Sequence, residues 1–204
     1  MNPTESILKM PGYRVCEYLL VLSPHQVLQE KIGKVKKEIN EKYKSSFLLN
    51  RKSDIRLARF FSWEMMEEKI INHLKISAMG TSSFKVNLKD YGTFPTHSLF
   101  VNVETKVPLQ MLVKEIKTAR RLMKSPEKEP FFNNDFYIPL AINLNPAQYN
   151  NAWIEYQHRH FTGHFIADNM LLLKKQQGEK YFQIAARLDF MNLPVSTVQG
   201  DLFG

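Results

Sequence analysis

Apolar and polar residues follow one another along this chain with two periods, one typical of helices and the other typical of strands. Leu28, Ile32 and Ile39 recur at helical spacing, which predicts an amphipathic helix whose lysines face water. Residues 54–61 alternate with the period of two that is typical of a strand. Over the whole chain these periods predict strands at 15–22, 54–61, 84–91, 98–103, 137–144, 161–166, 169–175 and 181–190, and helices from 23, over 63–74, over 109–123 and from 145.

Two of the predicted helices carry capping signals at their N-termini. The segment Ser23-Pro24-His25-Gln26 offers a capping serine, a proline at the first helical position and a glutamine at the third. Asn145-Pro146-Ala147-Gln148 repeats this arrangement. We therefore expect Ser23 and Asn145 to be the N-caps of their helices.

The second half of the chain repeats the organisation of the first half. When residues 54–58 are placed over 137–141 without a gap, the two capping positions and the apolar helix faces fall into register. Each repeat is then a strand followed by a capped helix. The pattern predicts an α+β protein of two pseudo-symmetric lobes, each an antiparallel sheet with helices on the outside. A cleft between such lobes is a common place for a ligand site.

The boundaries of this organisation also follow from the pattern. We expect a single domain over residues 1–190, with lobes at about 13–103 and 104–190 and with strands able to exchange between them. In the last predicted strand, Ile184 and Leu188 are expected on one side and Arg187 on the other. Residues 191–204 have a weak pattern and are expected to form a C-terminal tail.

The layout, together with three stretches of sequence, resembles a known superfamily. The stretches are RLARFF, FPTHSLFVNV and ADNMLLLKK, and the chain resembles the two-histidine phosphoesterases, which include the bacterial 2'-5' RNA ligases and related cyclic nucleotide phosphodiesterases. The resemblance covers about residues 13–190 and is strongest at 51–103 and 136–175. It implies one His-x-Thr-x motif on a central strand of each lobe. The histidines would act as general base and general acid, the threonines would hold the phosphate, and no metal or other cofactor is implied.

This sequence departs from the implied motifs at all four positions. Asp54 and Arg56 stand where the first histidine and threonine are expected, and Tyr137 and Pro139 stand at the second pair. Neighbouring registers supply no histidine, because none lies between residues 52 and 61 or between 131 and 146. The two-histidine mechanism is therefore not available to this chain.

Three hypotheses for function remain. In the first, the protein is a pseudoenzyme whose cleft binds a nucleotide or an RNA phosphate, with Arg56 holding the phosphate and Tyr137 stacking on a base or donating a hydrogen bond. In the second, Asp54 acts as base and Tyr137 as acid in a phosphodiesterase rebuilt without histidine. In the third, the cleft is vestigial and another surface binds a protein partner. A purely structural role is also open, in which Asp54 and Arg56 form an ion pair with each other or with Arg59.

Composition and charge are compatible with the first hypothesis. Lysine and arginine exceed aspartate and glutamate by 28 to 20, a net charge of +8, which favours polyanions such as RNA or simply keeps a surface solvated. No window approaches the length of an apolar membrane span, and the N-terminus lacks the pattern of a signal peptide, so we expect a cytoplasmic protein without membrane contact. The single cysteine, Cys16, lies in a predicted buried strand and is expected to be a core residue.

The histidines are weaker candidates. His97, in the loop before the strand at 98–103, can border the cleft or bond the local backbone. His160 and His164 would share a face of a strand at about 13 Å, which is too far for one metal ion. We therefore expect no metal site.

Overall fold

The structure, a computed structural model, describes residues 12–45, 48, 51–95, 97–125 and 128–193. Within these residues the expected α+β class is confirmed, and the elements lie close to the predicted ones. The strands are β1 Val15–Leu22, β2 Ile55–Trp63, β3 Phe84–Phe94, β4 Ser98–Val103, β5 Phe131–Phe132, β6 Tyr137–Ala141, β7 Thr162–Ala167, β8 Asn169–Gln176 and β9 Gln183–Asp189. The helices are α1 Gln26–Tyr43, α2 Glu67–Met79, α3 Val107–Ile116 and α4 Pro146–Tyr156, with short 3-10 turns at Glu64–Met66 and Lys117–Arg121.

The strands form two antiparallel sheets. The first sheet has the order β5-β2-β1-β8-β9, and the second sheet has the order β6-β4-β3-β7. Each sheet combines strands from both halves of the chain, because β8 pairs with β1 in the first sheet and β7 pairs with β3 in the second. Strands of each half of the chain therefore lie in both sheets.

Each sheet buries one face and leaves the other open. In β1, Cys16, Tyr18 and Leu20 are fully buried, whereas the alternate residues Glu17 and Leu19 lie on the open face. Helices α2 and α3 contact strands of the first sheet, and helices α1 and α4 contact strands of the second. All four helices therefore lie on the buried faces of the sheets, which leaves the opposite faces available for a ligand.

The capping predictions differ in outcome. Asn145 is an N-cap as expected, since its Oδ1 accepts from the backbone of Gln148 at 2.8 Å and the Gln148 side chain accepts from the Asn145 backbone at 2.9 Å. The prediction for Ser23 is wrong, because α1 begins at Gln26 and its N-cap is His25, whose Nδ1 accepts from the Leu28 backbone at 3.3 Å. The Ser23 hydroxyl instead donates to Asp54 at 2.8 Å, so a tertiary contact replaces the local cap.

The alternation predicted for the last strand is interrupted. Leu188 is buried as expected, but Ile184 is 59% exposed. An irregularity between Leu172 and Leu173 changes the pairing register, so that Leu172 faces Ala186 but Leu173 faces Ile184. Of the predicted tail, Asn192 and Leu193 donate backbone hydrogen bonds to Thr81 and Met79, and residues 194–204 lie outside the described residues.

Candidate functional site

The two strands that carry the expected motif positions meet where the sheets adjoin. β6 is the edge strand of the second sheet, and it contacts β2 of the first sheet. Arg56 is exposed near the start of β2, and Tyr137 is half-buried at the start of β6. Partial desolvation lowers the pKa of Arg56, while the nearby Tyr137 phenol acts in the opposite direction. The structure therefore brings these two predicted site residues together. Arg56 keeps its positive charge despite the lowered pKa, because arginine stays protonated in proteins.

The open face of β6 presents the second pair of expected motif positions. Tyr137 and Pro139 are two residues apart and share this face, whereas Ile138 and Leu140 are buried on the other. Across the ladder, Tyr137 lies opposite Asn102 and Pro139 lies opposite Phe100. Proline offers no side-chain donor, so Tyr137 is the hydrogen-bonding group of this pair.

Asp54 is engaged elsewhere. Its Oδ1 accepts from the Ser23 hydroxyl at 2.8 Å and from the Gln29 amide at 3.1 Å, and Gln29 in turn accepts from the Ser53 backbone at 2.8 Å. Burial raises the pKa of Asp54, and the two hydrogen bonds oppose this rise. Within the described residues Asp54 forms no ion pair with Arg56. Asp54 therefore anchors the entry to β2 against the β1–α1 connection.

Three aromatic rings form a cluster on the open face of the second sheet. The centroids of Phe94 and Phe100 are 4.8 Å apart, and those of Phe94 and Tyr137 and of Phe100 and Tyr137 are 5.1 Å and 4.9 Å apart. We call Phe94, Phe100 and Tyr137 the aromatic cluster. The edge of the Phe100 ring occupies the space that a β-carbon at Gly92 would fill, and such a β-carbon would also come within 2.6 Å of Asn102 Oδ1. The absence of a side chain at Gly92 is what allows this ring edge to approach strand β3 closely.

The open face of the first sheet carries a group of basic side chains around Glu17. Glu17 pairs with Arg59 at 2.7 Å and with Lys175 at 2.8 Å. Burial would raise the pKa of Glu17, but the hydrogen bonds from Lys175 and Arg59 outweigh it and leave the pKa lowered. Arg59 is thus paired with Glu17, whose one negative charge it shares with Lys175. The Arg56 guanidinium forms no hydrogen bond or ion pair within the part of the chain that the structure describes.

The histidines make local contacts. His97 is exposed and bonds the Pro95 carbonyl through Nδ1 at 3.0 Å, the backbone contact that the sequence analysis left open. His160 bonds Asp90 at 3.1 Å, and His164 lies opposite Asn87 on the ladder between β7 and β3. Among the described residues there is no group of three side chains that could hold a metal ion.

Sequence reasoning missed Phe94, Phe100 and Asn102 as site residues. Phe100 and Asn102 are two positions apart in β4, so their shared face was readable from the sequence. The pairing of β4 with β6, which places them beside Tyr137, was not readable, because helix α3, a 3-10 turn and strand β5 lie between the two strands in the chain.

Comparisons with known proteins bear on the fold. No protein-family model and no curated protein matches the sequence. Solved structures do match: E. coli LigT in its apo form aligns with a TM-score of 0.60 at 12% identity, over 86% of this chain and 98% of LigT. The chain has the LigT fold. TT0787 of Thermus thermophilus aligns with a TM-score of 0.56 at 13% identity, and Usb1 of Kluyveromyces marxianus with 0.52 at 12%, each over 86% of this chain and 98% of its own.

The LigT fold confirms the predicted resemblance to the two-histidine phosphoesterases at the level of the fold. No helix within the described ranges combines the length and the apolar character that crossing a membrane requires.

Proposed function

We propose that the cleft binds the phosphate of a nucleotide or of RNA and does not catalyse two-histidine phosphodiester chemistry. The observation that carries this proposal is the placement of Arg56. It occupies an expected motif position, is exposed next to Tyr137, and makes no ion pair among the described residues. A guanidinium in such a place is suited to bidentate binding of phosphate oxygens.

Structures of LigT support a nucleotide as the ligand of this fold. LigT has been solved in complex with 3'-AMP, with ATP, with NADP+ and with phosphate. In this chain, Arg56 and Tyr137 stand at two of the four positions where the resemblance predicts the motif histidines and threonines. The ligand class can therefore persist even though the acid–base pair has been lost.

The alternative of a rebuilt phosphodiesterase has less support. A general base and a general acid must both reach the same phosphodiester. Asp54 is instead held at the β1–α1 connection by Ser23 and Gln29, and within the described residues no hydrogen bond or ion pair joins it to Arg56 or Tyr137. An ordinary tyrosine, with a pKa of about 10, is also a poor general acid near neutral pH.

The alternative of a protein-interaction module draws on a different observation. Tyr181 and Ile184, at or just before the edge strand β9, are 71% and 59% exposed. Such side chains on an edge strand are compatible with a protein partner. That hypothesis predicts that removal of Arg56 leaves partner binding unchanged.

Calorimetric titration with 3'-AMP tests the proposed function. We expect Arg56→Ala to weaken binding by about ten- to a hundredfold, since hydrogen bonds to charged groups are worth about 1.5–3 kcal/mol. Arg121→Ala is the matched control, because Arg121 is an exposed arginine on the helix side of the first sheet. The affinity of the wild type should also fall as salt rises.

Two results would contradict the proposal. One is an equal affinity for 3'-AMP in wild-type protein, Arg56→Ala and Arg121→Ala. The other is a complete lack of binding by folded wild-type protein at low salt. Either result would turn attention to the protein-interaction hypothesis.

A further inference from the structure

A groove opens beside Tyr137 on the open face of the second sheet. It has a volume of about 500 Å³, and the aromatic cluster provides its apolar surface together with Val103 and Phe136. Asn102 lies next to Tyr137 in the β4–β6 ladder and also lines the groove. Tyr137 therefore belongs both to the groove and to the neighbourhood of Arg56. A ligand with its phosphate at Arg56 can reach the groove without leaving the site.

The charges around the groove differ from those around Arg56. The groove is lined by two cations and three acids, a balance of minus one. Arg56 is instead influenced by Arg51 and Arg59, and the acid nearby, Glu17, is already paired. The phosphate is thus favoured at Arg56 and disfavoured in the groove. The groove residues that carry charge are Lys89, Lys106, Asp90, Glu104 and Asp135.

The shape and the surface of the groove suit a flat, uncharged ring system. Aromatic side chains stack on nucleobases, because every base has a π face. Phe94 is 36% exposed, so part of its ring is available for such contact. The acids at the rim can accept hydrogen bonds from exocyclic amino groups, whereas a phosphate would be repelled by them.

Asn102 supplies the group that distinguishes one base from another. Its side chain is half-buried and forms no hydrogen bond within the described ranges of the chain. A carboxamide pairs in two-point fashion with adenine, accepting from N6 and donating to N7. Hypoxanthine has an oxygen in place of the N6 amino group and cannot form the first of these bonds.

We propose that the groove holds the base of the nucleotide whose phosphate binds Arg56, and that Asn102 selects adenine. This inference rests on the proposed function, because it requires the phosphate to lie at Arg56. It adds an orientation for the ligand and a residue that determines specificity.

The test compares three ligands by calorimetric titration: 3'-AMP, inosine 3'-monophosphate and inorganic phosphate. For wild-type protein we expect 3'-AMP to bind about tenfold more tightly than the inosine nucleotide, within the discrimination that a two-point contact provides. Asn102→Ala should bring the two affinities together and leave the affinity for phosphate unchanged. Phe94→Ala should weaken both nucleotides and keep their ratio, because stacking does not depend on the base.

Asn87→Ala is the matched control. Asn87 is an asparagine in the neighbouring strand β3 and does not line the groove, so the preference for adenine should remain. Asn102→Thr gives a second variant, since threonine suits a strand and lacks the carboxamide. Melting temperatures show whether each variant is folded.

The outcomes separate this inference from the proposed function. Equal affinity of wild-type protein for the two nucleotides, or an unchanged preference in both Asn102 variants, would overturn the role of Asn102 while phosphate binding at Arg56 remained. An absence of binding of all three ligands would overturn the proposed function and this inference together.

Discussion

Lys36 shows how a single residue stabilises the segment that leads into the candidate site. It lies in α1, is only 2% exposed, and donates through Nζ to the Arg51 carbonyl at 2.9 Å. Burial lowers the pKa of Lys36 to about 8, although the nearby Asp54 carboxylate acts to raise it. The lysine therefore fixes the segment that leads into β2, and with it the position of Arg56.

The lowered pKa makes a prediction about stability and pH. Unfolding restores an ordinary lysine pKa of about 10.5, so between pH 8 and 10.5 the unfolded chain binds more protons than the folded one. Stability from this group therefore increases as pH rises. We expect the free energy of unfolding of wild type, relative to Lys36→Met, to rise by about 3 kcal/mol from pH 7.5 to 10.5. Urea unfolding of both proteins measures this difference.

The comparison with Lys36→Met isolates the contribution of Lys36 to the pH dependence of the free energy of unfolding, because the tyrosines and the other lysines are present in both proteins. Asp54 is likewise present in both proteins. A difference between the two proteins that stays constant with pH would contradict the account of Lys36.

At the residue scale, sequence reasoning found two of the five residues that build the candidate site. Arg56 and Tyr137 were found because the resemblance assigned them to motif positions. Asn102 and the two phenylalanines of the aromatic cluster were not found, because their role depends on which strand lies beside β6. The role of Asp54 was also not predictable, since its partners Ser23 and Gln29 come from a different part of the chain.

At the scale of elements, two glycines have opposite roles. Gly92 lies in β3 under the Phe100 ring, where a β-carbon would collide with that ring and with Asn102. Gly33 lies inside α1 and has no neighbour within 4 Å of the position a β-carbon would take. A strand of the site therefore needs its glycine, whereas a helix on the outside does not.

This contrast predicts opposite effects of the same substitution. Gly92→Ala should lower the free energy of unfolding by about 1–3 kcal/mol through overpacking and should weaken 3'-AMP binding. Gly33→Ala should raise it by about 0.5–1 kcal/mol, because alanine is the better helix former, and should leave binding unchanged. Urea unfolding and titration of the two variants test both effects. A Gly92→Ala protein as stable as wild type, with unchanged binding, would refute the packing of Phe100 described here.

Element boundaries were predictable where the signal was local. Asn145 and Gln148 form a capping box within one turn of helix, and the sequence pattern identified it. Ser23 was misassigned because its hydroxyl bonds Asp54, a contact between residues 31 positions apart. Ile184 was misassigned because an irregularity in the pairing of β8 with β9 shifts the register, so that Ile184 points to the face opposite to the one that strict alternation predicts. The alternation of apolar and polar residues alone does not reveal such an irregularity.

At the scale of the whole molecule, the arrangement of the sheets determines what the protein can do. All four helices cover the buried faces, so the open faces meet at β2 and β6. Arginine and tyrosine, from different sheets, are thereby brought together. The two-lobed α+β plan was predictable from the repeat, but the strands that pair across the two halves, β8 with β1 and β7 with β3, were not, because strand order is not encoded in local periodicity.

The central claim is that this LigT-like cleft binds nucleotide phosphate without turning it over. The most direct test is the phosphorus NMR spectrum of adenosine 2',3'-cyclic phosphate mixed with the protein, since one spectrum reports both binding and hydrolysis. We predict that the resonance broadens or shifts with wild-type protein and not with Arg56→Ala, and that no phosphomonoester resonance appears. A phosphomonoester resonance that grows in proportion to wild-type protein, or a cyclic phosphate resonance that wild-type protein leaves unchanged, would contradict the account.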